Sequence, residues 1–242
     1  MEFKQVENLG RDVRDTFLRL LRDYSEALGL AFLIAILLRV FVVAAFRISA
    51  PAMEPSVKVG DFVIGFKLPF GLKLPYMNNK FGNTSPARGD LVFFDCPNKK
   101  EQMCLRRVVA VSGDKVELLK KRLYVNDVIA KYGKSEVEPT SSLISQIPIV
   151  ALNESWQDSS RSILISTDES QGDFSPFMVP PGAFFSLADN RDFTEDSRHW
   201  GAIPNSSIEA RAVFVWLSIE WYQGTDGVES KIRWDRIFKT LN

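Results

Sequence analysis

The sequence predicts a mainly β protein, an antiparallel β domain standing behind one N-terminal transmembrane helix. Three observations carry that expectation. The run ALGLAFLIAILLRVFVVAAF, Ala27–Phe46, is apolar over twenty residues apart from Arg39. As a helix it spans about 30 Å, one hydrocarbon thickness. After Phe46 the chain turns to short β-type runs separated by Gly, Pro, Asn and Asp. Finally, no helical period intervenes between those runs, which argues for antiparallel pairing rather than βαβ units.

Taken in order, residues 1–26 read as a short amphipathic helix leading into the span at 27–46. Arg39 costs roughly 2.5–3.5 kcal/mol at a bilayer centre, but it lies towards one end, where its guanidinium can snorkel. A signal peptide or a buried soluble helix are the rival readings of this run. Lys and Arg counts set the orientation. Arg11, Arg14, Arg19 and Arg22 precede the span, against Arg47 and Lys58 after it. The expected topology is therefore a cytoplasmic N-terminus and a C-terminal domain outside.

The runs DFVIGFKL, GDLVFFDC, LRRVVAV, DKVELLKK and RLYVNDVIA, then SILIST, FMVP, AFFSLA and AVFVWLSIEWY, are the expected strands. RGD at Arg88–Asp90 and SGD at Ser112–Asp114 punctuate them as turns. Residues 47–130 and 178–242 form the expected core. Patterning weakens over 131–177, which reads as a cap or long insertion. FVIGFKLPFGLKLPYM gathers Phe62, Phe66, Leu68, Phe70, Leu72, Leu74 and Tyr76 with two lysines. It is either a core hairpin or an apolar face against lipid. Cys96 and Cys104 flank a turn-like stretch, PNKKEQM. A disulfide is feasible there, and two reduced, buried thiols fit equally.

Lys+Arg and Asp+Glu balance to zero net charge, so no nucleic-acid partner is expected. The sole histidine, His199, is far from both cysteines, so neither a zinc site nor any other metal or cofactor is expected.

Two segments carry the function. FRISAPAMEPSVKVGD, Phe46–Asp61, and ADNRDFTEDSRHWG, Ala188–Gly201, stand in this order behind one span. They resemble the type I signal peptidases, membrane proteases that remove signal peptides from exported proteins. RGDLVFFDCP, LRRVVAVSGDKV, VPPGAFFSLADN and KIRWDRIF resemble further stretches of that family, so the likeness runs from residue 27 onward. It implies a signal-peptidase-like catalytic domain working by a Ser–Lys dyad, in which a neutral lysine takes the proton of the attacking serine. On the motifs, the nucleophile position is Ala52, the base position Arg106 and the oxyanion-serine position Ala50. Alanine offers no nucleophile, and arginine stays protonated in protein settings. Thr194, Asp196 and Arg198 occupy the supporting loop, with Thr194 where the family has a serine and Ala188 where it has glycine. Ser49 and Ser56 are the hydroxyls available to a shifted register.

The resemblance therefore implies a catalytically degenerate member that binds signal peptides, preproteins or membrane-proximal segments at the bilayer surface, alone or beside an active signal peptidase paralogue. The alternatives are an active peptidase with an unorthodox nucleophile and an envelope protein that reuses only the scaffold.

Overall fold

A computed structural model describes residues 2–73, 80–82, 85–97, 102–137, 148–156, 159–168, 172–223 and 227–241. The chain divides into two units, residues 1–42 and 43–242. Leu74 and Tyr76 of the apolar stretch lie outside the described residues.

The first unit is one helix, α1 (Glu2–Phe41), without a break between the leading segment and the apolar run. Over Thr16–Phe41 it is long and apolar enough to cross a bilayer, with its side chains exposed. The expected end at Phe46 is corrected: the helix stops at Phe41, and Val43–Arg47 is strand β1. Hydropathy alone hides this boundary, because VVAAF is equally apolar in either state. β-branched Val42 and Val43 tip the local preference towards strand.

The second unit is antiparallel β throughout its named pairings. β2 (Asp61–Phe66) pairs with β1 from Val43↔Phe66 to Arg47↔Phe62. Two short strands follow, β3 (Leu72–Lys73) and β4 (Lys80–Phe81), then β5 (Leu91–Asp95) and β6 (Met103–Val111). β7 (Lys115–Leu119), β8 (Arg122–Val125) and β9 (Val128–Ile129) make a meander. β10 (Lys131–Lys134), β11 (Ile149–Trp156) and β12 (Ser159–Ser166) form a separate three-stranded sheet. β13 (Phe174–Met178) joins β7, and β14 (Ala183–Leu187) leads into a loop ending in the one-turn helix α2 (Ser197–Trp200). β15 (Ile203–Pro204), the long β16 (Ile208–Gln223) and β17 (Val228–Ile232) complete the chain.

The principal sheet runs β1-β2-β16-β5-β6-β14-β15. Its middle strand β5 is buried on both faces, which is why LVFF reads as an unbroken apolar run rather than an alternation. Leu91 and Phe93 enter one core cluster with Met53, Val63 and Val215. Val92 and Phe94 enter another with Phe70, Val108 and Phe184. Phe70 is therefore core, while Leu68 of the same stretch is exposed. At the tip of β2, Gly60 sits at φ +90°, and a Cβ there would meet the Ile219 carbonyl oxygen at 1.9 Å. Only glycine lets the chain pass so close to β16.

Cys96 and Cys104 form a disulfide across the β5–β6 hairpin, which resolves the two readings of that pair. The separate β10-β11-β12 sheet falls within the cap or insertion expected over 131–177. β12 is tied to the loop after β14 through Leu164, whose N–H donates to the Asp189 carbonyl at 2.8 Å and whose carbonyl accepts from Arg191 N–H at 2.9 Å. Polar strands facing buried charges have no clean alternation of apolar residues, so this sheet reads weakly in sequence.

Candidate functional site

Ala52 lies on a single 3-10 turn, Pro51–Met53, entered from Ala50 in extended conformation. Proline at the first position presets the turn's φ. Met53, 1% exposed, anchors it in the core. The turn is then gripped from the far segment. Asn190 N–H donates to the Ala52 carbonyl at 3.1 Å, and Asn190 Nδ2 to the Pro51 carbonyl at 3.2 Å. The two motif segments, separated by more than a hundred residues, are thus hydrogen-bonded to one another.

They border a cleft of about 660 Å³. Ser49, Ala50, Ala52 and Met53 come from the turn; Met103–Arg106 come from β6; Phe193, Thr194, Glu195 and Trp200 come from the loop after β14. Phe46 and Arg47 of β1 close it. Ala50, Ala52, Arg106 and Thr194 are therefore brought together on one cleft. Ala52 is buried and Ala50 exposed, and each presents a methyl group.

Arg106 is 7% exposed. Its Nε and Nη2 donate to the Glu195 carbonyl at 2.9 and 2.6 Å, and Nη1 to the Leu105 carbonyl at 2.7 Å. Its guanidinium carbon stands 5.3 Å from the Trp200 ring centre, within cation–π reach. Burial pulls its pKa down to about 10, opposed by Asp196 and Glu195. The group remains a cation at neutral pH and has no lone pair to accept a proton.

Asp196 and Arg198 brace the loop instead of lining the cleft. Asp196 caps α2, accepting from Arg198 N–H at 3.0 Å, and its other oxygen accepts from Ala188 N–H at 3.1 Å. Arg198 Nε reaches the same carboxylate at 2.9 Å, while Nη2 bonds the Arg191 carbonyl. Thr194 Oγ1 donates to the Asn190 carbonyl at 2.7 Å, closing the bend that grips the Ala52 turn.

Of the spare hydroxyls, Ser49 is exposed and lines the cleft. Ser56 is bound to Asp189 Oδ2, a carboxylate engaged by Arg107 through Nε at 3.0 Å and Nη2 at 2.9 Å. His199 is exposed at the surface of α2.

Other contributors were hidden from motif reading. Glu195 acts through its carbonyl, which no side-chain pattern reveals. Glu154, from the weakly patterned β11, is fully buried between Arg161, Arg191 and the Tyr132 hydroxyl. Burial alone pushes its carboxyl up, but Arg191 and Arg161 outweigh that and hold it at about 2. The one available signal was an acidic residue in the β11–β12 region with an arginine seven positions on.

Comparison with known proteins fits this geometry. The family model described as "Signal peptidase, peptidase S26" matches residues 21–217. Signal peptidase I of Pseudomonas aeruginosa is 31% identical over 214 residues, covering 82% of this chain and 73% of the relative. Signal peptidase I of Rickettsia canadensis is 27% identical over 236 residues, covering 86% and 89%. Among solved structures, a signal peptidase I from Enterococcus faecalis matches at 21% identity with a TM-score of 0.33, covering 52% of this chain and 95% of that one.

Proposed function

The chain belongs to the signal peptidase family, peptidase S26, and within that family we propose that it binds signal peptides or membrane-proximal segments of exported proteins without cutting them. The observation that carries this reading is the chemistry of the cleft. The positions that the family fills with a serine nucleophile and a lysine base hold a methyl group and a protonated guanidinium. Neither can activate a hydroxyl or take its proton.

Peptide capture needs neither group. β1 is the edge strand of the principal sheet, and its Phe46 and Arg47 border the cleft. An extended peptide can add to that edge by main-chain hydrogen bonds while its alternate side chains enter the cleft. Because the cleft stays open, this reading is favoured over a purely structural scaffold.

The proposed setting is the outer face of a bacterial cytoplasmic membrane, anchored by α1 with the N-terminus inside. The arginines before the span and the Cys96–Cys104 disulfide, at home in an oxidising compartment, support it. Trp216, Trp221, Trp234 and Phe238 are exposed and supply an aromatic surface suited to the lipid interface. An active paralogue would be the partner that cuts.

The second reading, an active peptidase, has one observation in its favour: the Ser49 hydroxyl lines the same cleft. Incubating the protein in detergent micelles with a preprotein bearing an Ala-x-Ala signal peptide separates the two. Binding without cleavage is expected. Cleavage that disappears in Ser49→Ala would replace the proposal with the enzyme.

A further inference from the structure

Five arginines are buried in the described residues: Arg106, Arg107, Arg161, Arg191 and Arg236. Four of them meet a carboxylate. Arg107 pairs with Asp189, Arg161 and Arg191 share Glu154, and Arg236 pairs with Asp61. Arg106 is the exception among them. Its Nε, Nη1 and Nη2 all donate to backbone carbonyls. Of the two carboxylates that act on it, Asp196 is already engaged by Arg198 and by the Ala188 amide, and Glu195 is exposed and bonds Arg106 through its carbonyl. A buried cation is ordinarily kept only with a counter-charge. Arg106 is also the one of the five that lines the cleft.

A guanidinium has five N–H groups in a planar fork. Those three hydrogen bonds use one hydrogen on each nitrogen, so each terminal nitrogen keeps a second. Two such donors match the two oxygens of a carboxylate. A peptide that runs on through the cleft offers only neutral amides at this point, and seating it would desolvate Arg106 further without neutralising it.

Resting on the peptide-binding reading above, we infer that the cleft selects peptides that end there in a free α-carboxylate, with Arg106 as the group that receives it. A signal peptide already released by cleavage has such an end, and an intact preprotein does not. Ala50 and Ala52 add only methyl groups to the turn, which leaves Ser49 as its one hydroxyl in the cleft. The preferred ligand is then the product of a peptidase reaction, and the class of reaction that must supply it is hydrolysis after a small residue.

The test uses the full-length protein in micelles and three fluorescent peptides, two of one sequence ending in Ala-x-Ala and a third ending in Ala-x-Asp. One is the free acid, one the C-terminal amide, and one an amide whose last residue is Asp. The acid is expected to bind at least about tenfold more tightly than either amide at low salt, the fold-change of one well-placed charged contact. Arg106→Gln should bring acid and amide within about twofold of each other. Arg106→Lys should keep part of the preference. Equal affinity of acid and plain amide for the native protein overturns the inference and leaves peptide binding standing; this arm needs no variant to fold. An Asp-amide as tight as the acid overturns the claim for the chain end. Failure of all three peptides to bind removes the peptide-binding reading, and the inference with it.

Discussion

Arg106 and Arg107 are neighbours on β6, and because strand side chains alternate they serve two different regions. Arg107 turns into the bracing region behind the cleft, where Asp189 receives it through two bonds and Gly89 gives it a carbonyl at 3.0 Å. There each charge has several partners: Asp196 holds Arg198 and Ala188, and Glu154 holds Arg161, Arg191 and Tyr132. Arg106 turns to the cleft floor, where it stands with the methyl groups of Ala50 and Ala52. The bracing region spreads its function over many contacts, so it defines a shape whatever the floor can do. The floor's chemistry depends on single atoms. Scaffold and reactivity are therefore separable in this fold, and each can be perturbed without the other.

The largest expected effect breaks the comparison from the floor side. Ala52→Ser with Arg106→Lys supplies a hydroxyl and a titratable amine to a cleft whose support is already built. Preprotein cleavage should rise from undetectable to measurable. Adding Ala50→Ser should raise the rate by a further ~10²–10³-fold, the usual value of one oxyanion donor. A double variant as fast as the triple would show that the exposed Ala50 position contributes nothing to the reaction. A triple variant that stays inert while binding peptide would place the missing chemistry outside these three residues.

From the bracing side, Glu154→Gln leaves Arg161 and Arg191 buried with their shared counter-charge gone. Removing one partner from a buried ion pair costs about 3–5 kcal/mol. The shift should appear in the denaturation midpoint of the protein. Lys115→Ala, which removes an exposed pair with Asp127, should leave the midpoint unmoved. The sign with pH follows from the depressed carboxyl. Glu154 has an ordinary pKa of 4.5 and is held at about 2, so its stabilisation is complete above pH 4.5 and is lost as pH falls through 2. Acid sensitivity across that window should be weaker in Glu154→Gln than in the native protein. Equal acid sensitivity in both would assign the acid response to other carboxylates.

The same division explains what could be read from the sequence. On the floor, Ala50, Ala52, Arg106 and Thr194 sit in short motifs and line one cleft. Strands such as LVFF and AFFSLA were legible from their apolar runs, since both are buried along nearly their whole length. The β1 boundary was not, because an apolar strand continues an apolar helix without a change in composition. Nor was Glu154, whose polar strand carries no core periodicity and whose partner Arg191 is 37 residues away. Glu195 was out of reach altogether, because a carbonyl acceptor is common to every residue type.

Thr194 gives the smallest effect and the sharpest boundary between the two regions, since it borders the cleft while its hydroxyl closes the supporting bend. Thr194→Val keeps the shape and removes that donor, leaving the Asn190 carbonyl without its 2.7 Å partner. A hydrogen bond of this kind is worth about 0.5–1.5 kcal/mol net. A stability loss of that size is expected in the denaturation midpoint. The acid-over-amide preference for peptides should not change, because Arg106 is fixed by Glu195 and Leu105 independently of Thr194. Loss of the preference in Thr194→Val would mean that the bend sets the guanidinium's position, and that floor and brace are coupled through this one hydroxyl.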